Sequence, residues 1–292
     1  MSWYWHPFMR STVLVPVLLF ALFGAFVGCS GSGQLKYSGP EDAYQKGEAE
    51  MEEEDYQQAI RLFRAVFEYG RGNEWAPKAR FKLAMAQRKL NKHLVAANEF
   101  QRFTQLYRNN ELIPRAEYER ANSYYLRSPM YRLDQSDSQE AISLFRLFID
   151  RHPNHKLVPE AKAKINELRA KLAHKKYAAG QLYERREMWE AATTVYEDAF
   201  DQYPDTPWAD DALLGAVRTY IRYADRSIQK KQADRYQKAI ENYNRLTQLF
   251  PESKLLDEAE GFYSEARRKL DRVQARDGEQ SLAQEDTSRG SN

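Results

Sequence analysis

A single cysteine, Cys29, among 292 residues leaves the chain with no internal disulfide and no thiolate cage for a metal. Histidine is almost as scarce, at five. The one close pair, His152 and His155, has no third ligand at metal-binding spacing and reads as a solvated turn. Lys and Arg (44) nearly balance Asp and Glu (42), and no basic run is present that would neutralise a row of phosphates, which argues against nucleic acid as a partner. Glycine (13) and proline (11) are sparse, and no stretch alternates apolar and polar residues between turns, so no sheet is expected. No HExxH, GxSxG or phosphate-cradling glycine loop occurs. Neither an enzyme nor a site for a cofactor or metal is therefore expected.

What is present begins with the amino terminus. Arg10 is followed by an uncharged apolar run over 13–27, too short for a spanning helix and suited to the hydrophobic part of an export signal. Phe26-Val27-Gly28-Cys29 resembles a bacterial lipobox, with Phe26 where Leu is usual. The resemblance implies a signal peptide over 1–28 and covalent lipid on Cys29, with no other cofactor. Two or more acyl chains make a stable anchor. Residues 29–40 then read as a lipidated flexible tether, with an end-to-end distance on the order of 18 Å.

The organising stretch of the mature chain is 176–204. Gly180 and Tyr183 lie on one face of a first helix, and Trp189, Ala192, Tyr196 and Ala199 recur at three- and four-residue steps on a second. Pro204 closes the pair because it cannot continue a helix. This pattern resembles a tetratricopeptide repeat. The marker alanine recurs as Ala59, Ala96, Ala141, Ala192 and Ala239, and the residue four later is Phe63, Phe100, Phe145, Tyr196 or Tyr243. Pro153, Pro204 and Pro251 supply the stop in the last three units. The expected fold is all-α, a tetratricopeptide-repeat superhelix of about five helix pairs over 41–275, with a C-terminal capping helix.

The alanines lie further apart than the roughly 34 residues of an uninterrupted repeat. The excess is expected as long inter-helix connections over 127–138 in unit three and 223–235 in unit five, plus added helical turns over 158–173. Residues 255–273 read as the closing helix and 276–292 as a disordered tail.

Such arrays present a groove lined by the first helix of each pair. Tyr44, Phe81, Tyr118 and Tyr177 stand three residues before the small Gly or Ala of their units, and Ala212 takes that slot in unit five. In this frame they form an aromatic ladder facing a peptide groove; with the frame one residue off, they are core. Lys78, Arg88 and Arg115 are candidates for reading a peptide's terminal carboxylate, against the plainer reading of solvated helix charges.

Lipobox, tether and five repeats together resemble the BamD family, lipoproteins of the outer-membrane β-barrel assembly machine. The resemblance is densest at Asp134-Gln135-Ser136 with Glu140-Ala141, and at Glu167-Leu168, Lys176-Tyr177, Leu182-Tyr183 and Tyr203-Pro204-Asp205-Thr206. It implies a scaffold lipid-anchored to the outer membrane and facing the periplasm. Its carboxy-terminal repeats would dock the barrel-forming assembly protein through that protein's periplasmic repeat domains. Its amino-terminal repeats would receive unfolded outer-membrane proteins. Another repeat-lipoprotein role, in pilus secretin assembly or the Tol–Pal system, or as a peptidoglycan-associated accessory, is the alternative.

Overall fold

The computed structural model describes residues 35–70 and 72–289, with side chains through residue 280. Cys29, the signal expected over 1–28 and most of the tether lie outside these residues. The helical body begins at Gly39, where the chain divides from its amino-terminal unit.

Eleven α-helices and no strand occur among the described residues. They form five antiparallel pairs and a closing helix. Unit one is α1 (Pro40–Glu52) and α2 (Tyr56–Ala65), the latter continued by a 3-10 turn over Val66–Tyr69. Unit two is α3 (Ala76–Lys89) and α4 (His93–Leu106), and unit three is α5 (Ile113–Arg127) and α6 (Ser136–Arg151). Unit four is α7 (Val158–Arg185) and α8 (Trp189–Gln202), and unit five is α9 (Ala209–Asp225) and α10 (Gln229–Leu249). The closing helix is α11 (Leu256–Arg289).

Local sequence explains where the pairs start and turn. The first helix of units one to four carries a proline in its opening turn (Pro40, Pro77, Pro114, Pro159), where a missing N–H costs nothing. The turns inside units one, two and four each place a non-glycine residue in the left-handed region, Glu54, Asn91 and Glu187. Each stands five residues before its marker alanine, so the three turns share one geometry. Between units, Tyr107, His152, Tyr203 and Phe250 all leave their helices through the same non-helical conformation, with ψ between 51° and 60°.

The five marker alanines are fully buried, and so are Phe63, Phe100, Phe145 and Tyr196 four residues on. Small residues on the first helix make room for these rings. A Cβ on Gly47 would fall 2.6 Å from the Phe63 ring. Tyr196 is held from two sides, since a Cβ on Gly180 or Gly215 would approach it to 2.6 or 2.7 Å.

Two expectations are corrected. The insertion of unit five is not a long connection: α9 runs to Asp225, α10 starts at Gln229, and the extra residues lengthen both helices. Lys, Gln, Ala and Arg are good helix formers, and no Gly or Pro in this stretch stops them. Likewise α11 continues to Arg289, through the region expected to lack structure. Its buried contacts end at Val273, beyond which Gln229 of α10 still reaches Asp277 (2.7 Å) and Gln280 (3.0 Å). Unit three does carry an ordered loop, 128–135, and the added turns before unit four do run on, making α7 a single helix of 28 residues.

Candidate binding surfaces

The four rings of the expected ladder are packed in the core. Tyr44 lies 5.1 Å from Trp75 and 5.9 Å from Phe63. Phe81 meets Phe100 and Phe103 edge-on, at 5.5 and 5.9 Å. Tyr118, only 2% exposed, sits 5.6 Å from both Phe145 and Phe148. Tyr177 is half-buried between Tyr196 and Trp208, at 5.7 and 5.5 Å. The slot faces each unit's own second helix and the entry to the next unit, so aromatic stacking there builds the solenoid, and Phe81 in addition borders a surface depression. Burial, with the Glu48 carboxylate next, pushes the Tyr44 hydroxyl up to about 12.

A depression of about 450 Å³ opens nevertheless on the amino-terminal units. Met51 of α1, Lys82 and Met85 of α3, the edge of Phe81, Arg115 of α5 and His155 from the turn before α7 line it. Lys82 is anchored to Glu48 at 2.6 Å. Arg115 is fixed at 2.6 Å by Glu119, itself 1% exposed and also paired with Arg88. Arg88 is thus committed to the interior, and Lys78 lies over the Trp75 ring at 4.9 Å. Of the three cations singled out in the sequence, Arg115 alone lines this depression. Met51, Lys82 and Met85 went unread, because adaptable methionines carry no sequence signal. Burial first, and then the positive charges of Lys156 and Arg115, hold His155 below its ordinary range. An apolar floor with an ordered guanidinium beside it suits a bulky side chain next to a carboxylate.

A second depression, about 680 Å³, lies on unit four where α7 turns into α8. Tyr183, Met188, Trp189, Ala191, Val195 and Tyr223 give it a largely apolar wall. Beneath it, Arg218 of α9 donates twice to Glu184 of α7 (2.6 and 2.9 Å), and the Tyr196 hydroxyl of α8 donates to the same carboxylate at 2.8 Å. Burial pulls the Glu184 pKa upward, but Arg218 and Tyr196 outweigh it and the carboxyl stays below its usual range. These bonds tie α7, α8 and α9 together.

His152 pairs with Glu117 at 2.8 Å, and His155 accepts from the Leu157 backbone at 3.2 Å. Among the described residues no three His, Cys, Asp or Glu side chains converge to hold a metal, and no helix is long and apolar enough to cross a membrane.

A family model described as an outer membrane lipoprotein, YfiO, matches residues 37–232. The chain is 24% identical over 217 residues to the outer membrane protein assembly factor BamD of Caulobacter vibrioides, covering 73% of this chain and 70% of that one. It is 26% identical over 237 residues to the protein of the same name from Xylella fastidiosa, covering 75% and 80%. The Rickettsia prowazekii protein of that name is 27% identical over 178 residues, covering 61% and 71%. Among solved structures, a TPR repeats protein from Bacteroides fragilis aligns over 82% of this chain and 99% of its own, with a TM-score of 0.43 and 17% identity.

Proposed function

Because the chain belongs to the YfiO family of outer membrane lipoproteins, we propose that it is a lipid-anchored assembly factor for outer-membrane β-barrel proteins. It acts as a binding scaffold and not as an enzyme. Lipid on Cys29 holds it to the outer membrane, facing the periplasm. The observation that carries this reading is the span of the family match, 37–232, which includes both depressions.

The two surfaces divide the work. The depression on units one to three receives the carboxy-terminal segment of an unfolded barrel protein. An aromatic side chain enters between Met51, Phe81 and Met85, while Arg115 takes a carboxylate. The surface on unit four, wide, apolar and braced from below, docks the periplasmic repeat domains of the barrel-forming assembly protein.

The test is a pull-down of the tagged full-length lipoprotein from native membranes in mild detergent, with mass spectrometry of what accompanies it. Recovery of a large barrel protein carrying periplasmic repeat domains is expected. Recovery of a secretin, of Tol–Pal components or of peptidoglycan alone would overturn the reading.

A further inference from the structure

Five large apolar side chains stand exposed along one edge of units two and three. Leu94 and Val95 open α4, Leu126 ends α5, and Met130 and Leu133, 60% and 54% exposed, occupy the loop 128–135. These positions are the turns inside consecutive antiparallel pairs, which fall at the same end of the array. His93, at the unit-two turn, feels the charge of Arg127 at the unit-three turn, so the two tips adjoin.

The loop is built to hold its apolar side chains outward. Gln135, buried, donates to the carbonyls of Met130 (2.9 Å) and Leu133 (3.1 Å). Its side-chain amide oxygen accepts from the Ser138 hydroxyl at 2.8 Å, and Lys175 of α7 donates to the Leu133 backbone carbonyl at 2.6 Å. The backbone polar groups thus face the protein, and the two side chains face away from it.

Charge accompanies the apolar tips. Lys89, Lys92, Arg127 and Arg132 are exposed on the same two turns, against Asp134 and the Asp137 that pairs with Arg127. The neighbouring turn of unit one is the reverse. Glu52, Glu53, Glu54 and Asp55 are exposed there, and no large apolar residue is exposed beside them.

We infer that the edge formed by the unit-two and unit-three turns rests on an anionic phospholipid surface. Apolar tips flanked by long cationic side chains match such a surface, the former entering the acyl boundary while the latter reach head-group phosphates. The acidic turn of unit one is repelled from the same surface, which tilts the array so that contact begins at unit two. A single point of anchorage leaves orientation free, and this edge supplies a second. The inference rests on the lipid attachment proposed for Cys29.

The lipidated full chain tests it. With Cys29 acylated, a Met130→Cys or Leu133→Cys variant carries one reactive thiol, to which a polarity-sensitive fluorophore is attached. Each labelled protein is reconstituted on vesicles of phosphatidylethanolamine and phosphatidylglycerol, or of phosphatidylcholine alone, containing nitroxide lipids. A blue shift and quenching on the anionic vesicles only is expected, with none for a label at the distant exposed Leu249. Both signals should be lost on adding Lys89→Glu with Lys92→Glu, or on raising salt to about 1 M, where screening shortens to roughly 3 Å. Labels that stay unquenched on chains that float with the vesicles would overturn the inference and leave the anchor intact. A shift that appears only when membrane proteins are added would assign the edge to a protein and overturn it equally. Failure of the parent chain to float would remove the anchor reading, and this inference with it.

Discussion

His174 lies face to face with Trp208, ring centroids 3.9 Å apart and 6° from parallel, while Tyr131 stacks on its other face at 3.8 Å. The imidazole of α7 therefore joins the loop of unit three to the turn that precedes α9. Burial, with the positive charge of Arg132, holds its pKa below the ordinary histidine value. The unfolded chain takes up this proton near pH 6.5 and the folded chain resists it. The contribution of His174 to stability is thus complete above about pH 6.5 and is lost as pH falls toward the folded value. Denaturant unfolding of the parent and of His174→Gln from pH 8 to 5 should show the parent losing more stability over that interval; parallel curves would refute the assignment.

Tyr196 between Gly180 and Gly215 gives a second expectation. Alanine at a helical glycine ordinarily gains about 1 kcal/mol from propensity. At Gly180 the new methyl would stand 2.6 Å from the ring, and overpacking of this kind costs roughly 1–3 kcal/mol. Gly180→Ala should therefore be neutral to destabilising. Gly261→Ala, on an exposed part of α11 with nothing within 4 Å, should stabilise by about 0.5–1 kcal/mol. Thermal unfolding of the two variants side by side reads the difference directly.

Glu119 is buried between Arg88 and Arg115. Removing it strands the Arg88 guanidinium, and breaking buried pairs costs on the order of 3–5 kcal/mol. Arg88 keeps some solvent access, so Glu119→Leu should lose about 3 kcal/mol, the lower end. Arg88→Met added to Glu119→Leu should recover much of that loss. If the double variant is as unstable as the single one, the pair is not the cause.

Arg115 is the guanidinium placed at the amino-terminal depression. A fluorescent peptide ending in a free carboxy-terminal phenylalanine should bind the parent and lose roughly tenfold or more in affinity with Arg115→Gln, since a charge-assisted hydrogen bond contributes about 1.5–3 kcal/mol. The carboxy-amidated peptide should bind parent and variant alike. Anisotropy titrations that find the amide and the acid equivalent on the parent would remove the carboxylate from the reading.

Much of the fold was legible because the marker alanines and the ring four residues on are set by one constraint, close approach of two helices around an aromatic. That constraint shows at Ala59, Ala96, Ala141 and Ala192 without any tertiary information. The direction of Tyr44, Phe81, Tyr118 and Tyr177 was not legible in the same way. One residue along a helix turns a side chain by about 100°, so a frame shift of one exchanges groove for core. The turns around Glu54 and Glu187 were legible but their backbone was not, since the left-handed conformation is expected of glycine or asparagine and only Asn91 offers that signal. The extended α9 and α10 were read as a loop from repeat length alone, although their residues favour helix. Phe81, Arg115 and His155 were each noted in the sequence, but their convergence at one depression escaped because it joins five separate helices and turns.

The long α7 belongs to two units at once. Its first half, with Val158, Ala161, Ile165, Leu168 and Leu172, completes the core of unit three, and its second half, with Tyr177, Gly180 and Tyr183, builds that of unit four. A linear array normally melts from its ends, because each unit contacts only its neighbours and any interface is a place to part. Here one continuous helix spans the boundary, so the third and fourth units cannot part without breaking α7 or stripping its first half from the core of unit three. Unfolding on either side must therefore draw the other side with it, and the array behaves as one cooperative domain across its middle and not as a string of separable links.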